Sequence, residues 1–358
     1  MTDLSEKLGK ILSGIRPADP EIYMQALRCW NSIAKPLDGL GILEKDIAKI
    51  AALRGSMDVS LQSRMLMVIC ADNGVVSQGI SQSDASVSEA VSGALGQGKS
   101  TVNYQARAAR CRVTAVDAGM LCRTPEGVQN RKIRRGTDDI SCGPAMTRSQ
   151  CEQAILLGVS LVEELVDADT DILLTGEMGI GNTTTAAAVS SLLLSRDPEE
   201  LVGRGAGLTD EGLQKKTQVI RRALLINQPD PTDPVDILQK TGGLDLAVLC
   251  GLCLGGAFYR LPVLLDGVIT NAAALCAVRL NPAVSDALIA SHQSSEPAAG
   301  LLLQEMNLHP YLCGGFHLGE GSGAVLALPL LDQALAVYQS GHTFDQLKIE
   351  AYTRLSDE

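Results

Sequence analysis

The stretch 176–188, GEMGIGNTTTAAA, has the residue types and spacing of a phosphate-binding loop. Gly179 and Gly181 allow the backbone to approach a ligand closely, and hydroxyl side chains open the alanine-rich helix that follows. Free N–H groups and the helix dipole at such a start favour a phosphate. The third glycine of a dinucleotide fingerprint is replaced by Thr184, and a P-loop lysine is missing. The stretch therefore predicts a site for a mononucleotide phosphate rather than for NAD or ATP.

Two further glycine-rich turns carry polar side chains that could act on the same ligand. GRGAG at 203–207 precedes a helix that carries Lys215 and Lys216, and HLGEGSGA at 317–324 places Glu320 between glycines. A carboxylate among glycines can approach a substrate closely, which suits a general base. Taken alone, Glu320 also fits an ordinary turn residue.

Acidic residues end four of the short apolar runs: Asp72, Asp117, Glu177 and Asp266. In open parallel sheets, ligands bind beyond the carboxyl ends of the strands, where loops and helix starts converge. Because turns favour Asp, one acidic strand end is unremarkable, and ordinary turn chemistry remains the alternative for the set. Four together predict a common cleft.

The elements that would position these residues alternate along the chain. Apolar runs at 66–74, 112–119, 171–179 and 261–267 are separated by amphipathic stretches long enough for crossover helices. This alternation is typical of a parallel sheet covered on both faces. We expect an α/β fold with a Rossmann-like, mostly parallel sheet flanked by helices over 59–324. Segments 1–58 and 325–358, which have helical patterning, are predicted to form a small helical domain.

Composition excludes several classes of protein. The chain has 358 residues, of which 46% are hydrophobic, so it can bury a large core and is not disordered as a whole. Its net charge of −11 argues against a nucleic-acid groove. The start, MTDLSEKLGK, has no apolar signal segment, and no uninterrupted apolar stretch reaches the roughly 18 residues of a membrane span. We expect a cytoplasmic protein that binds neither nucleic acid nor membrane.

The cysteines, histidines and basic residues give no separate site. The ten cysteines are scattered and predict reduced, mostly buried thiols. Cys250 and Cys253 form a single CxxC inside an apolar run, and the four histidines lack metal-ligand spacing, so no metal is expected. The basic run RKIRR at 131–135 is interpreted as a solvated loop, with a phosphate role as the alternative.

Taken together, these segments resemble the nicotinate-nucleotide–dimethylbenzimidazole phosphoribosyltransferase family of cobamide biosynthesis. The matching stretches occur in family order across about 60–330: ADNGVVSQG (71–79), VDAG (116–119), GPAMT (143–147), GEMGIGNTT (176–184), GRGAG (203–207), GG (242–243), PVLLDGVITNAAAL (262–275), SHQSSEP (291–297) and LGEGSGA (318–324). The resemblance implies a transfer of phosphoribose from nicotinate mononucleotide to a cobamide lower-ligand base. The products are an α-riboside phosphate and free nicotinate. It also implies no cofactor, and a dimer of this chain with itself or with a homologous chain.

The resemblance further implies roles for individual residues, with Glu320 as the general base that takes the proton of the acceptor. Phosphoribose and nicotinate would be held by Glu177, Gly179, Ile180, Gly181, Asn182, Thr183, Gly205, Lys216 and Ser294, and the acceptor by Asn73, Ser81, Ser83, Met178 and Leu318. Nicotinate leaves from a pyridinium and is neutral at its ring nitrogen, so it needs no general acid. One carboxylate base and firm positioning of both reactants then suffice.

Three departures from the family's pattern leave the acceptor open. Asn73 stands where family members usually have the His of Asp-His-Gly, and Ala206 stands where they have the Thr of GTG. The stretch 80–91 also differs from the usual run beside the acceptor pocket. The acceptor is either 5,6-dimethylbenzimidazole or an unusual one such as a phenol or a purine. Two alternatives remain: a nucleotide-binding partner subunit with little catalysis of its own, and an NAD-dependent oxidoreductase.

Overall fold

A six-stranded parallel sheet forms the centre of the chain in the computed structural model, which describes residues 3–205 and 207–353. The strands are β1 (Arg64–Ala71), β2 (Arg112–Gly119), β3 (Gln129–Asn130), β4 (Ile172–Met178), β5 (Val263–Leu265) and β6 (Leu288–Ala290). Their order in the sheet is β3-β2-β1-β4-β5-β6. The direction of strand addition therefore reverses between β1 and β4, and such a switch point is where open α/β sheets bind ligands.

Helices connect the strands and cover both faces of the sheet, which confirms the predicted α/β class. They are α1 (Asp3–Gly14), α2 (Pro20–Ser32), α3 (Ile42–Arg54), α4 (Ala85–Gly96), α5 (Thr101–Ala108), α6 (Arg148–Asp167), α7 (Asn182–Leu194), α8 (Pro198–Leu201), α9 (Asp210–Asn227), α10 (Pro234–Thr241), α11 (Leu244–Phe258), α12 (Val268–Leu280), α13 (Ala298–Glu305), α14 (Ser322–Ser340) and α15 (Phe344–Leu347), with short 3-10 helices at Gly74–Gln78 and Pro282–Ala287. Strand β1, RMLMVICA, is buried along its whole length because helices lie on both sides of it.

The sheet separates two apolar layers. Side chains of α6, α7, α11 and α12 form one layer, and side chains of α3, α5 and α14 form the other. Helices α6 and α11 lie in close contact because glycines face each other: a Cβ at Gly251 would lie 2.0 Å from the carbonyl oxygen of Ile155, and one at Gly158 would lie 2.2 Å from that of Val248. The start of α11 lies beneath the loop after β4, where a Cβ at Gly179 would lie 3.1 Å from Asp245 Oδ2.

The terminal helices divide between the two layers. Leu8 of α1 packs with the layer of α6 and α11, whereas Trp30 of α2 packs with the layer of α14. The rings of Trp30 and Tyr338 lie 5.2 Å apart, and Ile33 forms an isolated bridge with Thr343. The helical domain predicted from 1–58 and 325–358 stays a prediction, and its residues 1–2 and 354–358 lie outside the described part of the chain.

Candidate active site

A cavity of about 860 Å³ opens at the carboxyl ends of β4 and β5, beside the switch point of the sheet. The loop after each of these strands lines it, together with the 203–207 loop, the 291–297 loop, the 317–320 turn and part of α4. The cavity therefore collects segments that lie more than 200 residues apart in the sequence, from Ser83 to Glu320. Eleven predicted site residues line it: Ser83, Glu177, Met178, Gly179, Ile180, Asn182, Thr183, Gly205, Ser294, Leu318 and Glu320.

The loop between β4 and α7 gives the cavity an uncapped helix start. A Cβ at Gly179 would lie 2.1 Å from the carbonyl oxygen of Ala71, so only glycine permits this loop to cross the end of β1. Gly181 is the N-cap residue of α7, with φ of 94°, and no side chain caps the helix. Because α7 has 13 residues and its first turn lies at the cavity wall, its positive end is available to an anion.

A second chamber of about 80 Å³ adjoins the same helix start. It is lined by Ser81, Gly181 and Lys216, with Thr183 and Gly205 shared between both spaces. Lys216 Nζ donates hydrogen bonds to Thr183 Oγ1 at 2.9 Å and to the carbonyl oxygen of Gly203 at 3.1 Å. Burial lowers the pKa of Lys216 to about 8, although the negative charge of Glu296 opposes this shift.

The turn that carries Glu320 has a backbone conformation that only its surroundings maintain. Gly319, Glu320 and Gly321 all have positive φ angles, of 84°, 59° and 85°. Such a conformation is unfavourable for a residue with a side chain by about 1 kcal/mol or more. Asp266, at the end of β5, accepts hydrogen bonds from the backbone N–H groups of Gly321 (3.2 Å), Gly323 (2.8 Å) and Ala324 (3.2 Å). It thereby caps α14 and fixes the turn.

Glu177 is buried directly beside this turn. A Cβ at Gly319 would lie 2.9 Å from Glu177 Oε1, and one at Gly176 would lie 2.7 Å from the carbonyl oxygen of Glu320. Asn182 Nδ2 donates a hydrogen bond to Glu177 Oε2. Burial raises the pKa of Glu177 to about 8, since the Asn182 hydrogen bond only partly offsets it and nearby carboxylates add to it. The structure therefore brings the two glutamates and the α7 start to one cavity.

Asp266 belongs to a buried pair that the sequence pattern did not reveal. His292 Nδ1 lies 3.9 Å from Asp266 Oδ1 and 3.0 Å from Ser291 Oγ, and the imidazole lines the cavity. Burial raises the pKa of Asp266, while His292 and the α14 backbone amides oppose this shift. Glu296, also missed, accepts a hydrogen bond from the N–H of Gly205 at 3.0 Å and so secures the 203–207 loop. SHQSSEP was the only signal for either residue.

The residues predicted for the acceptor lie in three different places. Ser83, Met178 and Leu318 line the main cavity, where Val87 and Val91 of α4 add an apolar wall that the sequence did not single out. Ser81 lines the smaller chamber instead. Asn73 lies beneath the floor of the cavity, where a Cβ added at Gly181 would be 3.2 Å from the Cβ of Asn73. The described residues include no cluster of three or more His, Cys, Asp or Glu that could hold a metal ion. Ala206, which departs from the family's usual pattern, lies outside the described residues.

Known proteins resemble this chain over most of its length. A family model described as "Phosphoribosyltransferase" matches residues 15–349. The nicotinate-nucleotide–dimethylbenzimidazole phosphoribosyltransferase of Ruminiclostridium cellulolyticum is 41% identical over 348 residues, which cover 96% of this chain and 98% of the relative. The protein of the same name from Escherichia coli is 38% identical, with 94% of each chain covered.

A solved structure has the same fold. The crystal structure of CobT from Thermus thermophilus superposes with a TM-score of 0.88 at 36% sequence identity, covering 93% of this chain and 100% of that one. The match extends over nearly the whole chain, and it shows that the two proteins have the same α/β fold.

Proposed function

Because the chain belongs to the nicotinate-nucleotide–dimethylbenzimidazole phosphoribosyltransferase family, we propose that it transfers phosphoribose from nicotinate mononucleotide to an aromatic lower-ligand base of cobamides. The family predicted from the sequence is confirmed, and the chain is a pentosyltransferase. The products of the proposed reaction are free nicotinate and an α-riboside phosphate.

The smaller chamber is the proposed place of the 5′-phosphate. It lies at the uncapped start of α7, and the Lys216 ammonium is held at its wall by Thr183. Backbone N–H groups, a helix dipole and a buried cation are the usual elements of a phosphate site. The ribose would then cross the shared wall at 179–183 into the main cavity, where Glu177 and Ser294 lie.

Glu320 is the proposed general base. A ring nitrogen of the acceptor, or the hydroxyl oxygen of a phenol, attacks the anomeric carbon of the ribose. The bond from that carbon to the nicotinate nitrogen breaks, and its electron pair returns to the pyridine ring. The proton of the acceptor passes to the Glu320 carboxylate, which completes the balance of charge. The observation that supports this proposal is the packing of the Glu320 turn against the end of β4, by which Glu320 and the β4–α7 loop line the same cavity.

The acceptor is proposed to bind along the apolar wall formed by Val87, Val91, Met178 and Leu318, with the Ser83 hydroxyl at its edge. Such a wall suits a flat aromatic ring. The acceptor is 5,6-dimethylbenzimidazole or a related base, phenol or purine. We also propose a cytoplasmic dimer, formed with a second copy or with a homologous chain. Within 3–205 and 207–353, no helix is long and apolar enough to cross a membrane.

The test is nicotinate release by the purified full chain from nicotinate mononucleotide. 5,6-Dimethylbenzimidazole, adenine and a phenol are supplied in turn, and a reaction without acceptor measures simple hydrolysis. We expect release that depends on acceptor together with formation of the matching riboside phosphate. The absence of release with every acceptor contradicts the proposal, whereas activity only after addition of a homologous chain supports the partner-subunit alternative.

A further inference from the structure

A second buried carboxyl group lies directly beneath the cavity floor. Asp245 stands in the first turn of α11, is fully buried and does not line the cavity. The Gly242–Gly243 turn makes its position possible: a Cβ at Gly243 would lie 2.3 Å from Asp245 Oδ1 and 2.4 Å from Asn73 Oδ1. A Cβ at Gly179 would also lie 3.1 Å from Asp245 Oδ2. Only glycines therefore allow these polar groups to converge under the β4–α7 loop.

The convergence leaves hydrogen-bonding capacity unused. Asp245 Oδ1 accepts a hydrogen bond from the N–H of Leu246 at 3.0 Å. No hydrogen bond of good geometry reaches Asp245 Oδ2 or either polar atom of the Asn73 amide among the described residues, although the amides of Asn182 and Asn73 both lie close enough to Asp245 to lower its pKa. Asn182 donates to Glu177 and also faces Asp245, whose charged form it favours. Two buried carboxyl groups are thus separated by one side-chain amide.

We propose that Asp245 is a positioning residue for the reaction proposed above: it shares Asn182 with Glu177, and the two carboxyl groups hold one proton between them, which resides on Glu177 near neutral pH. The inference rests on that proposed function for its consequence in catalysis. Its geometric basis is the buried chain Glu177–Asn182–Asp245–Asn73, which is closed by Gly179 and Gly243.

Burial and the charges around these four residues determine which of the two carboxyl groups holds the proton. Burial raises the pKa of Glu177 to about 8 and that of Asp245 to about 6, so the proton that the interacting pair holds between these two pH values favours Glu177 over Asp245. The carboxylates of Asp266 and Glu320 also face Glu177, whereas His292 faces Asp266. The Cys70 thiol of β1, which lies near both carboxyl groups, stays neutral because burial raises its pKa to about 12.

A protonated Glu177 has a specific use in this cavity. It can donate a hydrogen bond to an oxygen of the nucleotide, which an ionised carboxylate cannot do. It also removes one negative charge from a floor that must accept an anionic substrate. Loss of the proton above pH 8 is therefore expected to weaken nucleotide binding, and Asp245 determines where this loss occurs.

Infrared titration of the ligand-free protein tests the inference without any need for turnover. We expect a protonated-carboxyl band that disappears as the pH rises through about 8 and that is absent from Glu177→Gln. Asp245→Asn removes the neighbouring charge and should lower the midpoint of that band by roughly one pH unit or more. The matched control is Asp72→Asn, a buried carboxyl at the end of β1 that binds the N–H of Leu121 instead, and it should leave the midpoint unchanged.

Asn73→His is the second variant, should Asp245→Asn fail to fold. Histidine is the usual family residue at this position, and an imidazolium beside Asp245 should also lower the midpoint. A midpoint that neither folded variant changes, or one that Asp72→Asn changes equally, overturns the inference. If the midpoint moves while no acceptor supports nicotinate release, the shared proton stands and the proposed function fails. If nicotinate release occurs but no variant changes the midpoint, the proposed function stands and the shared proton fails.

Discussion

Asp117 and Glu177 lie at the carboxyl-terminal ends of the two strands that flank β1, and of these two carboxyl groups only Glu177 lines the cavity. Asp117 of β2 is opposite Cys70, and Glu177 of β4 is opposite Ile69. Because successive side chains of a strand point to opposite faces, this offset of one residue directs Asp117 towards the layer of α5 and α14 and Glu177 towards the layer of α11.

The two groups differ in how completely they are paired. Asp117 accepts hydrogen bonds from Met120 N at 2.8 Å and from Thr124 Oγ1 at 2.6 Å, and Lys132 Nζ lies 3.1 Å away. Glu177 has one side-chain donor, Asn182, and three acidic neighbours. A saturated buried carboxylate holds its loop in place, whereas an undersaturated one keeps capacity for a ligand. The comparison separates an acid that is fully paired within the fold from one that we propose binds the substrate.

The basic run at 131–135 belongs to the structural side of this comparison. Lys132 pairs with Asp117, Arg131 with Glu164 and Arg134 with Asp138. Three of its charges are thus used locally, and the run lies outside both cavities. The sequence interpretation of a solvated loop fits Arg131 and Arg135, which are exposed, whereas Lys132 and Arg134 are partly buried.

The largest effect is expected on the functional side, for Glu320→Gln. If this carboxylate accepts the proton of the acceptor, its amide should lower kcat by roughly 10²–10⁴-fold. The binding of nicotinate mononucleotide should change little, because the turn is fixed by Asp266 through backbone groups. Steady-state kinetics and equilibrium binding measure the two quantities. Glu305→Gln, an exposed glutamate paired with Arg279, is the control, and equal rates for both variants would remove the assignment of Glu320.

Asp117→Asn tests the structural side. The variant leaves Lys132 without its buried partner and should lower the free energy of unfolding by about 3 kcal/mol, measured by chemical denaturation. The kcat/KM of the folded fraction should stay within about twofold of the original, because Asp117 contacts neither cavity. A normal stability combined with a large loss of activity would show that Asp117 acts in the reaction rather than in holding the fold.

Lys216→Met should have a smaller effect on nucleotide binding. A charge-assisted hydrogen bond to phosphate contributes about 1.5–3 kcal/mol, so KM for nicotinate mononucleotide should rise roughly 10–100-fold. The neighbouring Lys215→Met is the control, since Lys215 is exposed and lines neither chamber. Lys216 is cationic below its pKa of about 8, so nucleotide affinity should fall as the pH rises through that value. Equal KM values for the two variants would place the phosphate elsewhere.

The fold followed from local patterns, whereas the pairing within the site did not. Alternation of apolar runs and amphipathic stretches was sufficient to predict a parallel sheet, because both features are local. The four acidic strand ends looked alike in the sequence. Their roles depend on the register between strands, which sets the face that each side chain occupies, and register is a property of the packed sheet.

The sequence also pointed to glycines without showing what they approach. The pair at 242–243 was recognised only as part of a resemblance, and the structure shows that Gly243 lies against Asn73 and Asp245. Asp245 itself lies in an apolar helical run that predicts core packing. Because its neighbours Asn73, Asn182 and Leu246 come from the loop after β1, from α7 and from α11, no spacing along one segment could have revealed them.

Asp266 caps one end of the long helix α14, and the other end of this helix contacts α2. This helix has 19 residues, or roughly 28 Å of length, and begins two residues after Glu320, while the ring of Tyr338 near its other end lies 5.2 Å from that of Trp30. The position of the proposed proton acceptor therefore depends in part on packing at the far end of the same helix. A change in the first or last helical segment can therefore misalign the chemistry without touching any group that meets the substrate.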